Sequence, residues 1–243
     1  KLSKQIELRQ LFQFPTIKEL AKKIRDERIL LFSDIYPTGE KRSYDLSRSQ
    51  MEFWRFDKTS KRLALIIFSI FKLEGNLDIK SFRAAIKIII NRHESLRTNL
   101  KEINNHPFQI IKKTAGNNFL KIVYLKRNLK NQGHLNLIIN EFIKSKFVLE
   151  SDNLYRFVLI KVNRNEWRFV LVFHHLIVDR WSIDVLLKEI SEVYNCLIEN
   201  KPISLKSLPL QYKDYSVWEN SSKGKEIIAN QEKYWLDNFK QGI

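Results

Sequence analysis

The chain has 243 residues, of which 44% are hydrophobic and 29% charged, enough length and apolar content to bury a substantial core. No apolar run reaches the roughly 18 residues of a membrane span, and the single cysteine, Cys196, excludes an internal disulfide, has no neighbours at metal-ligand spacing and suits a reducing cytoplasm. The net charge of +16 raises the question of nucleic acid, but the lysines and arginines are spread along the chain without an aromatic-basic motif. The charge therefore reads as a solvated basic surface, and neither nucleic acid nor membrane is an expected partner. The opening Lys1-Leu2-Ser3 has no initiator Met and no apolar signal core, so upstream sequence is expected.

In chain order, Ile17, Leu20, Ala21 and Ile24 fall on one face of a helix that opens after Pro15-Thr16. A helix this short does not bury its apolar face alone. Residues 26–43 lose periodicity and carry Asp34, Pro37, Thr38 and Gly39, the composition of a linker. An alternating α/β pattern follows. A strand is predicted over 63–73, ending at Gly75-Asn76, and then a helix capped by Asp78 with Ile79, Phe82, Ile86, Ile89 and Ile90 inward. Shorter strands are predicted near 108–111 and 120–125, and a helix through Leu135, Ile138, Ile139, Phe142 and Ile143.

The clearest local signal is a hairpin, 155–162 and 167–173, joined by Asn163-Arg164-Asn165-Glu166. In its second strand Phe169, Leu171, Phe173 and His175 share one parity, and Val170, Val172 and His174 the other. The two histidines are thus expected to point opposite ways. Ile183, Leu186, Leu187, Ile190, Val193, Tyr194 and Leu197 then trace a long helix. No repeat, phosphate loop or dinucleotide fingerprint is present.

The histidine pair lies where a strand gives way to a helix, a place where side chains meet substrate at a sheet edge. Imidazole titrates near pH 6.5, which makes both base and conjugate acid accessible. Asp179, four residues after His175, either orients an imidazole or pairs with an arginine. A histidine after an apolar strand is commonly a packing residue, and these residues alone leave both readings open.

Four motifs in order decide between them. Leu46-Ser47-Arg48-Ser49-Gln50-Met51-Glu52-Phe53-Trp54 is similar to S-x-A-Q-x-R-L-W, with its Ala and Arg positions changed. Arg92-His93-Glu94-Ser95-Leu96-Arg97-Thr98 matches R-H-E-x-L-R-T. His174-His175-Leu176-Ile177-Val178-Asp179 matches H-H-x-x-x-D, and Tyr212-Lys213-Asp214-Tyr215-Ser216-Val217-Trp218 matches Y-x-D-Y-A-V-W with Ser for Ala. On these residues, the chain resembles the condensation domains of nonribosomal peptide synthetases.

The resemblance implies an α/β, chloramphenicol-acetyltransferase-like lobe with a mixed or antiparallel sheet and flanking helices, the first of two lobes, over 44–243. It implies an acyltransferase forming an amide bond between an upstream carrier-bound acyl or peptidyl thioester and a downstream carrier-bound amino acid, with an L-configured donor. A heterocyclising variant is disfavoured, because the His pair would then be replaced by Asp. His174, His175 and Asp179 form the catalytic motif: His175 is the base or amine-positioning residue, and the parity of His174 points to a structural role. Asp179 is expected to pair with Arg97, and Arg97, Arg92 and Trp218 support the site. Residues 1–25, through Leu11-Phe12-Gln13-Phe14-Pro15-Thr16, are similar to the tail of a peptidyl carrier domain.

No cofactor is expected on this chain, since substrates arrive on the phosphopantetheine of carriers. The implied partners are upstream and downstream carrier domains, the second lobe and an adenylation domain. The 243 residues alone are expected to be inactive. The alternative is a non-catalytic split or decayed carrier-docking module. Arg180 stands where the family has Gly, and is expected to face solvent with a mild effect or to alter access for the pantetheine arm.

Overall fold

The computed structural model describes residues 13–26, 35–58, 65–125 and 132–240. The chain divides into two units, Lys1–Tyr36 and Pro37–Ile243. In the first, helix α1 (Ile17–Asp26) begins where the Pro15-Thr16 signal places it. Its first turn is closed reciprocally: the Glu19 amide donates to Thr16 Oγ1 at 3.2 Å, and the Thr16 amide and hydroxyl donate to Glu19 Oε2 at 3.3 and 2.7 Å. Of the expected carrier tail and linker, residues 1–12 and 27–34 lie outside the described residues.

The second unit runs β1 (Tyr44–Asp45), α2 (Arg48–Asp57), β2 (Ile66–Glu74), α3 (Ile79–Arg92), a 3₁₀ turn (Glu94–Arg97), β3 (Thr98–Ile103), β4 (His106–Ile111), β5 (Leu120–Tyr124), α4 (Gln132–Lys144), β6 (Tyr155–Asn163), β7 (Glu166–His174), α5 (Arg180–Ile198), α6 (Tyr212–Asn220) and α7 (Ser222–Phe239). A four-stranded sheet has the order β2-β7-β6-β5 and a three-stranded sheet the order β1-β4-β3. All pairs are antiparallel except β5 with β6, which α4 connects as a crossover. The larger sheet is therefore mixed.

The predicted hairpin is β6–β7, with Tyr155 opposite Phe173 and Phe157 opposite Leu171. Both of its faces are buried, because helices cover both sides. On one side Phe82 of α3 meets Phe169 edge-on at 5.0 Å and Tyr194 of α5 at 5.9 Å. On the other, Arg156, in register with Val172, reaches the Phe142 carbonyl of α4. Asp78 caps α3 as expected, accepting from the amides of Lys80 and Ser81.

Strand β3 is not anticipated by the sequence reading. Its turn is Asn104-Asn105, both at positive φ (51° and 63°), a backbone that asparagine tolerates and that matches the strand twist. Helices α2, α6 and α7 also go beyond the predicted elements. Among the described residues no helix is long and apolar enough to cross a membrane.

Candidate active site

Helix α2 organises the histidine pair. Ser47 caps it, accepting from the Gln50 amide while Gln50 Oε1 accepts from the Ser47 amide. The Gln50 side-chain amide then reaches Gln109 and the Leu176 carbonyl, tying the helix to the loop beyond β7. Ser49, Phe53 and Asp57 follow at intervals of four and share one face. That face meets both histidines.

His174 ends β7 and is buried at 1% exposure, its ring edge-on to Phe147 at 6.1 Å. The Leu176 amide donates to its Nδ1 at 3.2 Å, so the ring proton sits on Nε2 and is donated to Asp57 Oδ1 at 3.3 Å. Both nitrogens are engaged. Burial pushes this imidazole below the ordinary histidine value, outweighing the opposing pull of Asp57.

His175 is different. Its backbone amide donates to the Leu65 carbonyl at 2.8 Å, and its ring stacks on Phe53, with centroids 4.4 Å apart at 27°. Nδ1 is buried with no hydrogen-bond partner among the described residues. His175 lines the adjoining cavity. That cavity, of about 390 Å³, is lined by His175 with Ser49, Phe53, Ser95, Asp179 and Tyr212. The Tyr212 hydroxyl lies 2.8 Å from Ser47 Oγ, and burial raises its pKa, so it stays protonated.

The expected Asp179–Arg97 pair is not formed. Asp179 is the N-cap of α5, where its carboxylate accepts from the Ser182 amide at 2.8 Å and hydroxyl at 2.6 Å. The Ser182 hydroxyl bond holds the carboxyl below the usual aspartate range. Arg97 instead donates to backbone carbonyls of Ile90, Asn91, Lys112 and Lys113, gathering the strands and helix around the 3₁₀ turn. Each charge is satisfied locally, by a helix N-terminus or by loop carbonyls. Arg180 is exposed to solvent, as expected, and does not line the cavity; its Nη1 is tethered to Ser69 Oγ of β2 at 3.1 Å.

The second and fourth motifs clasp each other beside the cavity. Glu189 of α5 receives Arg92 Nε at 3.1 Å and stands 2.6 Å from His93 Nε2. Arg92 also donates to the Lys206 carbonyl, and Gln211 donates to the Arg92 carbonyl while accepting from the Glu94 amide. Lys213 meets Glu94 at 2.9 Å. Further along α6, Glu219 accepts from the Arg48 amide and the Tyr215 hydroxyl, and Ser216 reaches the Asp45 carbonyl. Trp218 packs 5.8 Å from Tyr215. Of the expected supports, Arg92, Arg97 and Trp218 thus lie in the scaffold around the cavity, not on its wall.

Sequence reasoning assigned no role to Phe53, Asp57, Ser49, Tyr212 or Glu189. The spacing of four along α2 was the available signal for the first three.

The condensation-domain family matches residues 40–242. The chain is 34% identical over 243 residues to bacitracin synthase 3 of Bacillus licheniformis, covering 100% of this chain and 4% of that synthase. It is 32% identical to gramicidin S synthase 2 of Brevibacillus brevis, covering 98% of this chain and 5% of the synthase. Among solved structures it superposes on the complex of the X-domain and OxyB from teicoplanin biosynthesis, with TM-score 0.74, 23% identity, and 86% and 46% of the two chains covered. It also superposes on the starter condensation domain of the rhizomide synthetase, with TM-score 0.73, 19% identity, and 84% and 49% covered. The chain thus spans a twentieth or less of these curated relatives and just under half of these solved chains, and its fold is a single chloramphenicol-acetyltransferase-like lobe. By its motifs, its fold and these likenesses, the chain belongs to the condensation-domain family of nonribosomal peptide synthetases.

Proposed function

We propose that this lobe forms part of a site that joins two carrier-bound groups through an amide bond. The donor is an acyl or peptidyl thioester on an upstream carrier, and the acceptor an amino acid on a downstream carrier. The amine nitrogen attacks the thioester carbonyl, the C–N bond forms, the C–S bond breaks, and the pantetheine sulfur leaves as a thiol with the proton the amine gives up.

The observation that carries this reading is His175, which lines a cavity of about 390 Å³ at a strand-to-helix junction while the neighbouring His174 and His93 are engaged by carboxylates. Phe53 fixes the plane of the ring, so the imidazole is presented in one orientation. Holding amine and thioester together is worth up to about 7–11 kcal/mol, and a positioned base adds about 10²–10⁴ in rate. His174 and Asp179, in this reading, are structural: the first anchors α2 through Asp57, and the second starts α5 at the cavity edge.

Residues 1–25 are read as the end of the upstream carrier, 26–43 as a linker and 44–243 as the first lobe. The second lobe, both carriers and an adenylation domain are the partners. Pantetheine arms enter as substrate, with no cofactor held by this lobe.

The test is reconstitution: the complete condensation domain containing this lobe, mixed with donor- and acceptor-loaded carriers, followed by mass spectrometry of the acceptor carrier. Dipeptidyl-carrier product supports the reading. Loaded carriers that bind the domain but yield no product favour the non-catalytic docking module instead.

A further inference from the structure

A second, smaller cavity of about 140 Å³ lies between the 3₁₀ turn and the first turns of α5. Its walls are largely apolar: Leu96, Val178, Val185 and Leu186, with the indole of Trp181 beside them. It shares Ser95, Val178 and Ser182 with the His175 cavity, so the two adjoin along a common wall, this one as the smaller branch beside the space where the reaction is proposed to occur.

Its polar wall groups are mostly engaged. His93 is held by Glu189 at 2.6 Å, and the Ser182 hydroxyl is bonded to Asp179 at 2.6 Å. A charged substituent entering the branch would lose its water and find no counter-charge on the wall. An anionic one would also approach Glu189. An apolar substituent meets the opposite situation. Trp181 and Val185, one turn apart on α5, are 77% and 37% exposed, apolar surface that a non-polar group would cover. The size fits as well, since an apolar protein cavity of about 150 Å³ accommodates benzene.

Resting on the condensation reading, we propose that this branch is a side-chain subsite, which receives an aliphatic or phenyl side chain of one of the two carrier-bound amino acids. The selected substrate class is then apolar aminoacyl groups of leucine or phenylalanine size.

The test uses the complete condensation domain with both carriers, loaded in turn with leucine, phenylalanine, glycine or aspartate at the donor and then at the acceptor position. At one position, kcat/KM for leucine and phenylalanine exceeds that for glycine by about 10-fold or more, and aspartate is slowest. Val185→Phe, which fills the branch from a partly exposed position, lowers the leucine-to-glycine ratio at that position by about 10-fold or more. Trp181→Ala lowers the same ratio by removing a wall. Ratios unmoved within about twofold by both variants at both positions overturn the subsite. A wild-type domain that joins no pair at all refutes the condensation reading itself, so the two failures are distinguishable.

Discussion

Two polar regions lie side by side around the turn Glu94–Arg97, and they are built in opposite ways. In the first, Arg92, His93 and Glu94 meet Glu189, Gln211 and Lys213, and donors face acceptors at 2.6–3.2 Å, with Glu94 Oε2 buried without a partner among the described residues but away from the lining of either cavity. In the second, across Ser95, the His175 ring is stacked on the Phe53 ring, with Nδ1 unsatisfied among the described residues. Both regions contain histidine. The difference teaches that residue type does not mark a working group here; unused hydrogen-bonding capacity beside an open volume does.

That comparison is first broken by removing groups whose hydrogen-bonding capacity is used, His174 beside the working histidine and Glu189 in the closed region. His174→Ala deletes a buried ring, its contact with Phe147 and its bonds to Asp57 and Leu176. Chemical denaturation should show a loss of about 4 kcal/mol, in the range for large-to-small core changes. Glu189→Ala removes the carboxylate shared by Arg92 and His93, and the expected loss is about 2–3 kcal/mol, below that of a fully buried pair because the group is partly solvated. A change under about 0.5 kcal/mol in either would remove the distinction between the two regions.

Acid sharpens it further. Because the folded His174 pKa is depressed, the unfolded chain binds the extra proton, and stability rises with pH through this range. The contribution is full above about pH 6.5, the unfolded value, and falls below it by up to about 1.4 kcal/mol per pH unit until the folded value is reached. Denaturation midpoints measured from pH 7.5 to 5 should show this slope, and His174→Ala should flatten it. The smallest effect concerns Asp179 and Arg97. Their double-mutant cycle should give a coupling below about 0.5 kcal/mol, as for separate sites.

Much of the frame was legible because it repeats locally. The β6–β7 hairpin, the Asp78-capped α3 and the long α5 follow from alternation, a cap and a 3.6-residue period. Strand β3 was hidden, since Thr98, Asn99, Lys101 and Glu102 lack apolar alternation and its fit comes from buried bonds of Asn99 to the Leu149 and Asp152 carbonyls. The site was legible in its histidines and not in their surroundings. Asp57 meets His174 across 117 residues, a contact that no local spacing encodes. The Asp179–Arg97 pairing failed for a related reason: opposite charges permit a pair, but a helix N-terminus and a set of unsatisfied loop carbonyls were closer partners.

The most direct measurement is the yield of dipeptidyl-carrier from the complete domain bearing His175→Ala, per mole of folded protein. The predicted result is a loss of about 10²-fold or more with the thermal midpoint near that of the wild type, because His175 Nδ1 makes no hydrogen bond among the described residues. Product within about twofold of wild type would contradict the assignment of His175 as the working histidine.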